Sequence, residues 1–238
     1  MTDTPQDMEQ VRTALLDAIQ MHVPFDGWSE TAFRTAIAES GIEPGLARAA
    51  CPRGAADLAV AYHKRGDDLM VQRLAETDLS DMRFRDRIAL AVRFRLEAVE
   101  DKECVRRGAT LFALPQYGAE GSKLIWGTAD RIWTALGDTS EDVNWYTKRA
   151  SLSAVYGATV LYWLGDDSFD SQPTWDFLDR RIEGVMRFEK AKARVRSNPL
   201  LKPLTFGPRM VGSKIKPPHA RKPMRMPGFL RSEPAETA

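Results

Sequence analysis

The chain has 238 residues, 43% hydrophobic and 28% charged, the profile of a globular protein with a substantial core. Its formal net charge of +1 excludes a strong overall attraction to nucleic acid. Residues 198–238 nevertheless carry eight Lys/Arg against Glu233 and Glu236, so a basic tail of about +6 hangs on a body of about −5.

Two cysteines, Cys51 and Cys104, lie far apart without CxxC or metal-ligand spacing, so a reducing, cytoplasmic setting is expected. The N-terminus is acidic and polar and lacks the basic start of a secretory signal. The most apolar stretch, residues 150–164, contains Ser151 and Ser153 and falls short of the roughly 20 residues of a membrane span. It reads as a buried helix, leaving peripheral membrane contact at most.

Helical periodicity is almost continuous and strand signals are nearly absent, so the expected fold class is all-α. Residues 6–22 place Val11, Leu15, Ile19 and His22 on one helical face. Pro24 and Gly27 then break the chain, Ser29 is an expected N-cap, and Gly41 ends the helix it starts. A short helix follows over 44–50. A long one is predicted over 55–75 and another over 83–105, with Phe84, Ile88, Val92 and Leu96 as the latter's apolar stripe. Arg83, Arg85, Asp86, Arg87, Arg93, Arg95, Glu97 and Glu100 are expected on its solvated outer face. Further helices are predicted over 105–114, 119–136, 141–164 and 174–196. Eight prolines from Pro199 to Pro234 prevent a sustained helix through most of the tail.

The three histidines, His22, His63 and His219, are too scattered for a metal motif, and His63 is expected late in its helix or at the surface. No P-loop, GxGxxG or GxSxG string occurs. No catalytic residue, metal or cofactor is therefore expected, and the chain is expected not to be an enzyme. An enzyme with an unfamiliar site would need turnover without a partner.

The first three helices have the outline of a helix-turn-helix head, and Ile37-Ala38-Glu39-Ser40-Gly41-Ile42 resembles the turn of the TetR family. A groove-reading helix needs several donors and cations, whereas residues 43–51 supply only Arg48. The outline is expected to survive as scaffold without nucleic-acid binding. A TetR-like transcription regulator with a small-molecule pocket is the alternative.

Trp126, Trp133, Trp145, Tyr146, Tyr156, Tyr162, Trp163 and Trp175 fall within about 50 residues. They read as helical core, except that Trp145 and Tyr146 point about 100° apart, so at least one is expected at the surface as an interface anchor. Gly118, Gly121, Gly127, Gly157 and Ala158, set among large apolar residues, either leave room for a long ligand or let helices pack closely. Trp126, Leu152, Tyr156 and Val160 are the candidate contacts for such a lipid. A buried methylene contributes roughly 0.8 kcal/mol, which suffices to hold an acyl or prenyl chain.

Several strings carry a resemblance: Val23-Pro24-Phe25-Asp26-Gly27-Trp28, Arg83-Phe84-Arg85-Asp86-Arg87-Ile88, and Trp126-Gly127-Thr128-Ala129-Asp130-Arg131-Ile132-Trp133. So do Gly137-Asp138-Thr139-Ser140, Asp142-Val143-Asn144-Trp145-Tyr146-Thr147-Lys148-Arg149, and the run from Thr174 through Ile182. Over roughly residues 8–196 the chain resembles the ubiquinone biosynthesis accessory lipid-binding family, whose founding member is the ninth named coenzyme Q biosynthesis protein. The resemblance implies a TetR-like fold, a homodimer, a bound isoprenoid or phospholipid, and service to a di-iron hydroxylase acting on a membrane-embedded quinone intermediate. It also implies a partner surface at Ile132, Trp133, Asp142, Asn144, Trp145, Tyr146 and Arg149.

The expected organisation is a three-helix head (1–54), a helical lipid-binding and dimerisation body (55–197), and a basic Pro-rich tail (198–238). Met224, Met226, Phe229 and Leu230, set among cations, either touch a bilayer peripherally, the inner membrane in a bacterium, or the tail serves solubility alone.

Overall fold

The computed structural model describes residues 7–141 and 143–197, with side chains through Arg187. Ten helices account for its regular structure, and no strand occurs among the described residues. The predicted tail, 198–238, lies outside the described residues, as does Asp142.

The head begins with α1 (Met8–Ile19), whose first turn is capped by the Asp7 carboxylate accepting from the Glu9 amide. The predicted break contains a single turn, α2 (Val23–Asp26), closed by Gly27 at φ 68°. Helix α3 (Glu30–Ser40) starts where expected: Ser29 Oγ accepts from the Ala32 amide, and Gly41 ends the helix in the left-handed conformation. Glu43 caps the short α4 (Pro44–Ala50). α1 packs on α3, α4 and the start of α5 (Ala55–Ala75) around Leu15, Ile19, Phe33 and Leu58, all without exposed surface.

The body consists of the rest of α5 with α6 (Phe84–Glu97), α7 (Lys102–Phe112), α8 (Gly118–Ala135), α9 (Val143–Leu164) and α10 (Gln172–Ser197). Its core gathers Met70, Val92, Ile132, Tyr156 and Leu178. α5 thus joins both parts: its first turns complete the head core and its last turns, at Met70 and Leu74, enter the body core.

Two expectations are corrected here. The helix predicted over 83–105 is two helices, because Asp101 leaves the helical path and its carboxylate accepts from the Glu103 amide at 2.7 Å, capping α7. Arg95, expected on the solvated face, is 4% exposed. Its Nε donates to Asp67 Oδ1 at 2.6 Å and its Nη2 to the His63 carbonyl at 2.9 Å. Thr128 Oγ1 adds a third tie, donating to the same Asp67 oxygen at 2.9 Å. Three helices, α5, α6 and α8, are therefore joined through one carboxylate. Gly66 makes the approach possible, since a Cβ there would sit 2.5 Å from Arg95 Nη1. Glycine inside a helix costs about 1 kcal/mol against alanine, a cost set here against the fit of a buried guanidinium.

Arg95→Met leaves Asp67 buried without its cation and is expected to lower the unfolding free energy by about 3–5 kcal/mol in urea titrations. Adding Asp67→Leu in the same chain is expected to recover most of the loss, since no buried charge then remains and Thr128 keeps the Leu124 carbonyl.

Candidate functional site

A cavity of about 340 Å³ lies where the head meets the body, within the range of small-molecule pockets, about 300–1,000 Å³. Trp28 borders it from the head, its indole donating to the Cys104 carbonyl at 3.0 Å and its ring 5.5 Å from that of Tyr62. Leu96, Val99, Val105, Phe112, Ile125 and Val160 supply apolar wall from α6 to α9. Leu161, 68% exposed, also lines it, so the space reaches the surface.

Of the small residues singled out in the sequence, Gly118, Gly121 and Gly157 line this cavity. Gly127 and Ala158 are not among its lining residues. Gly121 is needed for close packing as well, because a Cβ there would stand 2.8 Å from that of Phe112. Gly118 and Gly157 thus border open space, whereas Gly121 borders it and also permits a close approach. Tyr156 and Val160, two of the four candidate lipid contacts, line the cavity. Leu152 lines a second groove of about 530 Å³ beside Phe84, Ile88, Trp133 and Ile182. Trp126 borders neither and packs beside Trp145 and Tyr146, with centroids 6.1 and 6.5 Å away.

The polar part of the cavity wall includes Tyr62, His63, Arg95, Ser122 and Tyr156. His63 lies inside α5 and not late in its helix; its Nε2 is 2.9 Å from Thr128 Oγ1. Burial, assisted by the Arg95 charge, pushes its pKa down to about 3, so the ring is neutral at physiological pH. Burial also pushes the Cys104 thiol up to about 11, which keeps it protonated and a poor nucleophile. Burial likewise pushes the Asp67 carboxyl up, against the pull of Arg95 and Thr128. Among the described residues no group of three His, Cys, Asp or Glu is placed to hold a metal ion.

A second cluster forms where α8 meets α9. Asp138, from the Gly-Asp-Thr-Ser string, accepts from Lys148 Nζ at 2.7 Å, Arg149 Nη1 at 2.9 Å and Ser140 Oγ at 2.8 Å. Arg149 also donates through Nε to Asp130 at 2.5 Å and through Nη1 to the Trp145 carbonyl at 3.2 Å. Its guanidinium lies 4.0 Å over the Trp145 ring, while the Lys148 ammonium lies 5.0 Å over Trp133. The two sequence strings are therefore halves of one clamp. Burial alone would raise the Asp138 carboxyl, but hydrogen bonds from Lys148, Arg149 and Ser140 hold it well below the usual carboxylate range.

The clamp decides where the residues expected at a partner surface sit. Ile132 has no exposed surface, and Trp133, Trp145 and Arg149 are 8%, 6% and 2% exposed. Asn144 is exposed and Tyr146 half-buried. Trp145 is covered by Arg149 above and by the edge-on Tyr146 ring at 4.7 Å beside it. Of the two adjacent aromatics, Tyr146 is thus the one that reaches the surface. Asp138, Lys148, Asp67, Arg95 and Thr128 were missed as site residues. For Asp138, Lys148 and Thr128 the signal lay within the quoted strings; for Asp67 and Arg95 only charges at helical spacing were visible.

The profile of the COQ9 family matches residues 118–189, which contain the whole clamp. The "Ubiquinone biosynthesis protein COQ9, mitochondrial" of Rattus norvegicus is 30% identical over 203 residues, covering 79% of this chain and 63% of that protein. The Homo sapiens protein of the same name is 29% identical, covering 79% and 62%, and the Drosophila melanogaster one 30%, covering 76% and 57%. The chain thus spans less than two thirds of the length of these relatives. Among solved structures, a TetR transcriptional regulator from Nitrosomonas europaea superposes with a TM-score of 0.60 at 18% identity, over 72% of this chain and 95% of that one. The fold is TetR-like and all-α.

Asp138→Asn is expected to lower the unfolding free energy by about 3 kcal/mol at pH 7. Because the folded-state pKa lies below the ordinary 3.8, the contribution is complete above that value and fades as pH falls through the folded pKa. Urea titrations at pH 7, 4 and 3 should therefore show the gap between wild type and variant narrowing at the acid end.

Proposed function

From the premise that this chain belongs to the COQ9 family, we propose that it is a non-catalytic lipid carrier of ubiquinone biosynthesis. In this reading it presents a prenylated quinone precursor to a partner hydroxylase at the membrane. The observation that carries the proposal is the apolar cavity between head and body, open near Leu161 and bounded by Phe112, Ile125 and Val160. Such a wall holds a hydrocarbon chain by burial, without polar help. The described residues form no helix long and apolar enough to cross a membrane. The basic tail, outside the described residues, supplies the cations that would hold the chain peripherally at an anionic bilayer.

The chemistry of hydroxylation belongs to the partner in this proposal, a di-iron enzyme docking at the surface around Asn144 and Tyr146. The clamp beneath, built on Asp138 and Arg149, holds that surface rigid, which lowers the entropic cost of association. The regulator alternative has less support. Arg48, the single cation of α4, is engaged by Glu30 at 2.6 Å and lies 4.8 Å over Phe33.

Mass spectrometry of small molecules released on denaturing the protein purified from its host is expected to show prenylated phenols or quinones enriched over bulk phospholipid. Absence of lipid together with retention of a specific DNA fragment would favour the regulator instead. Tyr146→Ala is expected to weaken hydroxylase binding by about 2 kcal/mol, some 30-fold in Kd, with bound lipid unchanged. Undiminished hydroxylase binding would remove Tyr146 from the docking surface.

A further inference from the structure

The mouth of the cavity between head and body has one weak edge. Three of the residues that line the space are themselves exposed: Ala113 and Ser122, on either side of the α7–α8 corner, and Leu161 on α9. The corner and the first turns of α8 therefore frame the opening together with α9. Gly118, Gly121 and Ser122 border the cavity from those turns.

By its own sequence this stretch of helix is poorly held. Its N-cap, Tyr117, gives the first turn no side-chain hydrogen bond. Glycine stands at 118 and again at 121, the least favourable helix residue after proline. Ser122 Oγ donates back to the Gly118 carbonyl at 2.9 Å, a bond that bends a helix more than it stiffens it. Gly121 is demanded by the approach of Phe112, but Gly118 is not: a Cβ there would lie 3.9 Å from the Phe112 carbonyl oxygen, an ordinary contact. Gly118 thus weakens the turn without relieving a clash.

The head supplies what holds these turns. Arg53, in the loop between α4 and α5, donates through Nη1 and Nη2 to the two Glu120 oxygens at 2.7 and 3.0 Å. The fork is aimed beforehand, because Asp57 accepts from the Arg53 side-chain Nε and backbone amide, each at 2.8 Å. Glu120 lies in the first turn of α8 and is not among the residues lining the cavity. Arg53 therefore fastens the weak turn to the head without touching the space inside. The two side chains are 46% and 27% exposed, so dissolved ions reach the pair.

We infer that the Arg53–Glu120 ion pair is a latch on the mouth of the cavity. Closed, it holds the first turns of α8 to the head; open, it lets them fray and widens the passage beside Leu161. The inference rests on the lipid reading of the cavity given above. Since the pair does not line the cavity, loosening it lowers the barrier to entry and to exit alike and leaves affinity unchanged.

The test uses the full chain freed of lipid and an uncharged apolar fluorophore, N-phenyl-1-naphthylamine, mixed with it by stopped flow. The concentration dependence of the relaxation gives the association and dissociation rate constants separately. Glu120→Gln is expected to raise both by about 2- to 5-fold, the worth of one exposed ion pair, with Kd within about twofold. Gly118→Ala, which firms the turn, is expected to slow both about 2- to 5-fold. Raising NaCl from about 0.05 to about 0.5 M is expected to quicken exchange in wild type and not in Glu120→Gln. Unchanged rates in Glu120→Gln, faster dissociation without faster association, or an equal salt response in both proteins would overturn the latch and leave the lipid reading standing. Failure of wild type to bind the fluorophore would overturn both.

Discussion

The buried carboxylate of Asp67 is the constraint on which the arrangement of the body depends. It lies within α5, receives Arg95 from α6 and Thr128 from α8, and is 3% exposed. An ion placed so deep must be paired and hydrogen-bonded, so the three helices can approach only in the relation that brings those donors to it. Gly66 beside it has no side chain because the guanidinium occupies that space. The cavity lies against this network, its wall passing from Arg95 and His63 on one side to the apolar residues of α7 to α9. A polar anchor and an apolar space are thus two consequences of the same packing.

Helix α9 carries the features that the two sites share. Near its start, Lys148 and Arg149 close on Asp138 and cover Trp133 and Trp145. One to three turns later Tyr156, Gly157 and Val160 form part of the cavity wall, with Leu152 facing the second groove. Because a helix is stiff over this length, the surface around Tyr146 and the cavity have a set separation. In the proposed function, that set separation lets the chain offer its ligand to an enzyme docked beside it.

The two charge clusters set protonation in different ways. At Asp138 the hydrogen bonds from Lys148, Arg149 and Ser140 hold the carboxylate ionised. Around His63, burial keeps the ring neutral and the adjacent ion pair balances itself.

The all-helical class, the caps at Ser29 and Gly41, and the local strings at 137–149 were legible in the residues alone, because these rest on contacts between residues a few positions apart. Helical periodicity also marked Tyr156 and Val160 as large apolar groups among glycines. The tertiary structure alone decided that Arg95 faces inward, since a charge pattern on one helix cannot show which neighbour supplies the opposing carboxylate. It alone decided that Trp145 is covered and Tyr146 is not, because the cation that roofs the indole is held by Asp130 and Asp138, 19 and 11 residues before it. It also parted Leu152 from Tyr156, neighbours on one helix that border different spaces. Periodicity states which residues share a face; what lies opposite that face is set by long-range packing, and there the candidate sites were made.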